Sequence, residues 1–370
     1  MPNLNWTRHM AEYVRNPQFP NYGASADPRP VLVDCSLGVN PLKLYPDAEP
    51  VKMYASQYAE YPGGHNVQAL GEYVQSRFPT VNPEDLCFGA GSEGVLSSLG
   101  RTLGGSGVLV KAFKPTFLPA LVEFASAGAR VETLELDAPF KIDIDRMIAA
   151  LDSGTTLVYI DNPNNPTGQV LPLSELDRLA QACRERGILL LVDEAYADFV
   201  DDANSAFGLT YDNVICTRSF SKGCGLAGAR VGYLLIRDRE LLRHYQEVGA
   251  LFTCSKAASD LAERVLPSLS LAHMRQGVKA LKKAVLEFLS GYPQFTMGAT
   301  SEDTSILFLV WEKEDGDLYD ELMDAGIMTE SGVYFALTGG GRNCVRLRVP
   351  PQEQLEQFKE LWQRKFGPGA

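Results

Sequence analysis

The chain has 370 residues, 45% of them hydrophobic and 22% charged, and its 34 Lys+Arg against 46 Asp+Glu give a formal charge of −12. Such a composition suits a folded protein with a sizeable core and excludes disorder on any large scale. The acidic surplus argues against a nucleic-acid backbone or an anionic membrane surface as the main partner.

The opening residues, Met1 to Phe19, hold no apolar segment of signal-peptide length. The most concentrated apolar runs, Ile188–Val192 and Ile306–Trp311, are far too short to span a bilayer. Seven scattered cysteines form no CxxC pair, and none of the four histidines falls within ligand spacing of a cysteine. That usage predicts a reducing, cytoplasmic setting, with no disulfide framework and no structural metal.

A short strand is expected over Val31–Cys35. Further strands follow over Leu86–Gly89, Val108–Phe113, Val131–Leu136, Thr156–Ile160, Ile188–Val192, Val214–Arg218 and Val231–Ile236. Several are apolar nearly throughout, as strands covered on both faces of a parallel sheet must be. Helix-period segments lie between them. The clearest runs from Ser174 to about Arg186, with Ser174 as N-cap, Leu176, Leu179, Ala180 and Cys183 on one face, and Gly187 just past the end. Beyond about residue 260 the texture changes. A helical tract over Asp260–Ser290 is broken at Pro267, strands follow over Ser305–Val310 and Cys344–Val349, and a last amphipathic helix uses Leu355, Phe358, Leu361 and Trp362. The expected architecture is α/β. A large domain over residues 46–255 carries a mostly parallel, doubly wound sheet, and a smaller α+β domain is built from both chain ends, 1–45 and 256–370.

Four clusters of chemistry-bearing residues fall at predicted strand ends, where open α/β sheets bind their ligands. Gly89-Ala-Gly-Ser-Glu-Gly94 fits G-x-G-x-x-G. A dinucleotide site needs an acid at the end of the next strand, and Val108-Leu-Val-Lys111 ends in lysine, which counts against a nicotinamide oxidoreductase. What survives is a phosphate cradle of backbone N–H groups at a helix N-terminus. In Asp161-Asn-Pro-Asn-Asn-Pro-Thr-Gly168 two X-Pro steps stiffen a loop that can aim the Asn165 amide. Asp193-Glu-Ala-Tyr196 follows a buried strand, so its Asp193 carboxylate must meet a cation or strong donors. Ser219-Phe-Ser-Lys222, followed by Gly-Cys-Gly-Leu-Ala-Gly-Ala-Arg230, sets hydroxyls and an arginine around a lysine able to form a Schiff base. A phosphate cradle, a buried acid, amide and hydroxyl donors and an imine-forming lysine together match the needs of pyridoxal phosphate.

These motifs, in this order, resemble the fold type I aminotransferases of the class I/II group, and most of all the histidinol-phosphate aminotransferases and the similar threonine-phosphate decarboxylases. The resemblance runs from Leu37-Gly-Val-Asn-Pro-Leu42 to Val345-Arg-Leu-Arg348. It implies that Lys222 holds pyridoxal 5'-phosphate as a Schiff base and moves the proton of the substrate α-carbon. Asp193 would keep the pyridine nitrogen protonated, Asn165 and Tyr196 would bond the phenolic oxygen, and Phe117 would stack on the ring. Ser92 and Glu93 (through their backbone), Ser219, Ser221 and Arg230 would hold the phosphate. Tyr61 would reach the phosphate from a partner subunit, implying a homodimer with shared sites. Arg346 would bind the substrate carboxylate, and Asn40 lies in the segment that closes over substrate. The expected substrates are an amino acid and a 2-oxo acid; decarboxylation, elimination or cyclisation on the same scaffold is the alternative. The chain departs from those two families at Gly326-Ile-Met-Thr-Glu330, where Glu330 stands in place of an arginine that reads the substrate's acidic end. A glutamate there favours a cationic or neutral side chain.

Overall fold

A computed structural model describes residues 18–19, 27–42, 59, 67–249, 254–313, 315–337 and 341–369. In chain order its strands are β1 (Val33–Asp34), β2 (Leu86–Ala90), β3 (Leu109–Lys114), β4 (Arg130–Glu135), β5 (Leu157–Asp161), β6 (Leu189–Asp193), β7 (Val214–Ser219), β8 (Val231–Ile236), β9 (Phe295–Met297), β10 (Ile306–Trp311), β11 (Ile327–Met328), β12 (Glu330–Ser331) and β13 (Cys344–Arg348). The predicted strands are present, with every end within one residue of its expected place. The first is the exception, only two residues long.

Seven strands form one sheet in the order β2-β8-β7-β6-β5-β3-β4. All run parallel except β8, which is antiparallel to both its neighbours. The apolar runs are continuous because both faces are covered. Val158, Ile160, Leu190 and Val192 pack on one side with Leu176, Leu179, Ala180 and Cys183 of the helix Leu173–Arg184. Leu157, Tyr159, Leu191 and Ile215 pack on the other with Leu96, Leu99, Leu121 and Phe124. Burying one such aliphatic side chain contributes about 1.5–3 kcal/mol, so the central strands hold the sheet together.

A second, antiparallel sheet has the order β12-β13-β10-β9. Leu307, Leu309, Val345 and Leu347 pack there against Leu281, Val285 and Leu289 of the helix Leu271–Ser290, and against Phe358, Leu361 and Trp362 of the helix Leu355–Phe366. The N-terminal segment joins this region through β1, which pairs in parallel with β11, Val33 opposite Ile327.

Two local expectations are corrected. Ser174 is not the N-cap: the helix starts at Leu173 after Pro172, and the Leu173 N–H donates to Asn204 Oδ1 at 2.8 Å, a cap supplied from 31 residues away. β3 does not end at Lys111; it runs on to Lys114, and Lys111 is buried in mid-strand, 2.7 Å from the Asp152 carboxylate. The helical tract is broken at Pro267 as expected, into the helices Lys256–Val265 and Leu271–Ser290 separated by a 3₁₀ turn, starting four residues before Asp260, and each is capped by a serine, Ser255 and Ser270. Gly187 does take the left-handed conformation that favours glycine, at φ +67°.

Among the described residues no helix is long and apolar enough to cross a membrane, and no His/Cys/Asp/Glu group could hold a metal ion.

Candidate active site

Strands β5, β6 and β7 end side by side, and the turns leaving them enclose a cavity of about 180 Å³ with the start of the helix Gly91–Leu103. Of the residues singled out in the sequence, Ser92, Glu93, Phe117, Asn165, Asp193, Tyr196, Ser219, Ser221, Lys222, Arg230 and Arg346 all line it. Asn40 and Glu330 stand behind this lining, and Tyr61 lies outside the described residues.

Asp193 is the last residue of β6 and is buried. Its carboxylate accepts from Thr217 Oγ1 at 2.9 Å, the Ala195 N–H at 3.1 Å and Tyr159 Oη at 3.2 Å. Strong donors therefore meet it, and burial pushes its pKa up against their pull and that of Lys222. The cation that this segment does recruit belongs to the next residue: Arg218 Nη1 lies 3.2 Å from the Glu194 carboxylate, with both side chains buried.

A second buried carboxylate, Asp161, escaped the sequence reading as a functional group. It accepts from Thr116 Oγ1 and Asn164 Nδ2, both at 2.8 Å, and from the backbone N–H groups of Asn165 at 2.8 Å and Phe117 at 3.1 Å. Desolvation raises it to about 6 despite those four donors. The signal was available, because an acid at the end of an apolar strand calls for donors here as it does at Asp193. One carboxylate thus fixes two lining residues, Phe117 and Asn165.

Lys222 follows β7. Burial lowers its pKa to about 8, with the charges of Arg346 and then Arg230 adding to the effect, while Glu330 and Asp193 oppose it. Its Nζ stands 5.4 Å from the centroid of the Tyr196 ring. An amine with that pKa is roughly one-tenth uncharged at pH 7, some hundreds of times the share of an ordinary lysine, and the uncharged form is what acts as nucleophile or proton carrier.

At the far end of the cavity the Ser219 hydroxyl donates to Ser221 Oγ at 2.7 Å. Arg230, held in the left-handed region at φ +54°, lays its guanidinium against the start of the helix Gly91–Leu103. Two glycines make that approach possible. A Cβ on Gly91 would stand 2.6 Å from Arg230 Nη2, and one on Gly232 would stand 2.1 Å from the Gly91 carbonyl carbon. Helix N–H groups, two hydroxyls and a guanidinium form an anion site.

Arg346 of β13 also lines the cavity. Its Nη1 donates to Asn165 Oδ1 at 3.0 Å, and its Nη2 donates to the Ser36 carbonyl at 2.8 Å and to Glu330 Oε2 at 3.2 Å. Glu330 therefore turns toward the arginine, and burial raises its pKa while Arg346 and Lys222 pull it back. Asn40 does not line the cavity; its amide donates to the Gly223 carbonyl at 2.7 Å and ties the N-terminal segment to the residue after Lys222. The Tyr196 hydroxyl is buried and meets no hydrogen-bond partner among the described residues. It is pressed against Gly38, where a Cβ would lie only 1.8 Å from it.

An orphaned phenol, a buried carboxylate at strand depth, an amine near neutrality and an anion cradle at the opposite end fit pyridoxal phosphate, which asks for a donor to its phenolic oxygen, an acid for its ring nitrogen, a lysine for its aldehyde and a phosphate site.

The family model for aminotransferase class I and II matches residues 46–361. The chain is 29% identical over 317 residues to histidinol-phosphate aminotransferase 1 of Bacillus cereus, covering 85% of this chain and 84% of that protein. It is also 29% identical over 343 residues to histidinol-phosphate aminotransferase of Methanococcoides burtonii, covering 91% and 90%. Among solved structures, the histidinol-phosphate aminotransferase from Clostridium acetobutylicum superposes with a TM-score of 0.75 at 18% identity, covering 89% of this chain and 98% of that one. A mutant aspartate aminotransferase of Thermus thermophilus superposes with a TM-score of 0.75 at 20% identity, covering 93% and 99%.

Proposed function

The chain belongs to the class I and II aminotransferases, enzymes that depend on pyridoxal phosphate, and on that premise we propose which of its residues do the work and on what substrate. When bound, the cofactor supplies an electron sink for the bonds at the substrate's α-carbon. Lys222 would anchor it and carry the proton to and from that carbon, which its pKa of about 8 suits it to do. Asp193 would hold a proton on the ring nitrogen from within a desolvated site, where an ion pair is strong. Tyr196 and the Asn165 amide would bond the phenolic oxygen, Phe117 would cover one ring face, and Ser92, Glu93, Ser219, Ser221 and Arg230 would bind the phosphate. Arg346 would take the carboxylate shared by amino-acid donor and 2-oxo-acid acceptor.

The curated relatives carry the name histidinol-phosphate aminotransferase. A buried glutamate beside Arg346 argues for a different donor here, with a neutral or cationic side chain in place of a phosphate. We further read the enzyme as a cytoplasmic homodimer in which Tyr61 of one protomer reaches the phosphate of its partner, with residues 46–255 as the cofactor-binding domain and 1–45 and 256–370 as the smaller one.

The observation that carries this reading is the convergence of Lys222, Asp193 and the Ser219–Ser221–Arg230 cradle on one cavity. The test is spectroscopic. The purified, cofactor-loaded enzyme is titrated with acidic, neutral and basic amino acids, and conversion of the visible band to a near-ultraviolet band, reversed by a 2-oxo acid, is expected with neutral or basic donors. Conversion by acidic donors alone would overturn the substrate assignment, and a visible band that persists in Lys222→Ala would overturn the role of Lys222.

A further inference from the structure

Glu330 and Arg346 are directly opposite each other in the register of β12 and β13, so their side chains share one face. Both are buried. Arg346 Nη2 has two hydrogens, and both are committed, one to the Ser36 carbonyl at 2.8 Å and one to Glu330 Oε2 at 3.2 Å. Nη1 is engaged with Asn165 Oδ1 at 3.0 Å. A carboxylate entering the cavity and pairing with the guanidinium in the two-bond, fork-like manner needs one hydrogen from Nη2, together with one from Nη1 or Nε. The Ser36 contact is a backbone carbonyl held between β1 and the lining residue Leu37, whereas Glu330 is a side chain with rotatable bonds. The contact that yields is Glu330.

We infer that Glu330 acts as an internal counter-ion which the substrate carboxylate must displace from Arg346, so that binding a carboxylate is coupled to uptake of a proton by Glu330. This rests on the assignment of Arg346 as the carboxylate-binding residue. Once displaced, a charged Glu330 would sit buried beside a second carboxylate, and taking a proton removes both the repulsion and the desolvation cost. The groups that face Glu330 are Arg346 on β13, Lys222 after β7 and Asp34 on β1, with Tyr196 beyond β6 across the arginine. When an incoming carboxylate neutralises Arg346, the two nearest influences left are Lys222, which favours the charged form, and Asp34, which opposes it.

The probe is propionate, a carboxylate without an amine, bound to the cofactor-loaded enzyme. Calorimetric titration in buffers of different ionisation enthalpy counts the protons taken up, and the visible band of the bound cofactor separately reports the proton on the Lys222 nitrogen. After that contribution is subtracted, wild type is expected to take up close to one proton at pH 8. Its affinity should then fall about tenfold per pH unit. Glu330→Gln is expected to take up none and to bind propionate about tenfold tighter at pH 8, a gap that widens with pH. No proton uptake by wild type beyond that on Lys222 would overturn the inference whatever the variant does, as would equal uptake by both proteins. Arg346→Gln should abolish propionate binding in either background. Binding that survives it would overturn the assignment of Arg346, a failure distinguishable from failure of the Glu330 coupling alone.

Discussion

Replacing Gly38 by alanine tests how tightly the N-terminal segment is fitted over the site. The added Cβ would lie 1.8 Å from Tyr196 Oη, 2.6 Å from Cζ and 2.8 Å from Cε1, whereas ordinary contact begins at 3.4 Å. The atoms must therefore part by about 1.6 Å. Tyr196 cannot retreat cheaply, because its ring is packed with Phe199, Met274, Val278 and Ile306. The segment is no freer: Asn40 bonds Gly223, the Ser36 carbonyl takes Arg346, and the Cys35 N–H donates to the Met328 carbonyl at 2.7 Å. Overpacking of this kind costs about 1–3 kcal/mol of stability. Displacing a site residue by about 1 Å can cost roughly a hundredfold in rate. Urea melts and kcat/KM measured with the donor found spectroscopically would read the two effects. Removing the hydroxyl moves the nearest ring atom back to 2.6 Å, so Gly38→Ala combined with Tyr196→Phe should recover part of the stability lost, a coupling of about 0.5–3 kcal/mol. A Gly38→Ala enzyme of unchanged stability and activity, or strict additivity with Tyr196→Phe, would refute the reasoning.

Two further outcomes follow from the same site. Lys222 is depressed from 10.5 to about 8 in the folded, cofactor-free protein, so the stability it contributes is whole above 10.5 and is lost as pH falls through 8. Lys222→Met should therefore gain on wild type by about 3 kcal/mol between pH 10.5 and pH 7 in urea melts, and a gap that does not change with pH would sink the argument. Arg218 is buried between Glu194 at 3.2 Å and Asp198 at 2.8 Å; Arg218→Ala leaves Glu194 buried without its cation, while Asp198 keeps Arg77 at 3.0 Å, and should destabilise by about 3–5 kcal/mol, against less than 1 kcal/mol for an exposed pair such as Arg243–Glu247.

The lining of the cavity was legible because its residues are local in sequence. Asp193, Lys222 and the Gly89–Gly94 turn each follow directly on an apolar strand, and a strand end in a parallel sheet is a position that composition and periodicity can find. The connections made across the chain were not legible. Nothing local says that Asn204 caps the helix at Leu173, or that Lys111 is paired in mid-strand with Asp152. The clearest case is Glu330. Its place in the motif suggested a side chain presented to the substrate, but the register of β12 against β13 puts it opposite Arg346 and gives it an internal partner. Register is a property of the folded sheet, and a one-residue slip would have turned Glu330 to the other face.

Asp161 divides the labour of the site. Its carboxylate grips the backbones of both Phe117 and Asn165, and all three belong to the seven-stranded layer. Arg346, the residue proposed to take the substrate carboxylate, and its counter-ion Glu330 stand on the four-stranded layer, and the Arg346–Asn165 contact bridges the two. The slot proposed for the ring is thus one jaw with its spacing set by a single anion, and the arginine proposed for the substrate is mounted on the other. Any shift of the small sheet would retune which substrates are gripped without altering the grip on the ring. Variation in donor preference on this scaffold can accordingly accumulate in β12 and β13 while the cofactor end stays unchanged.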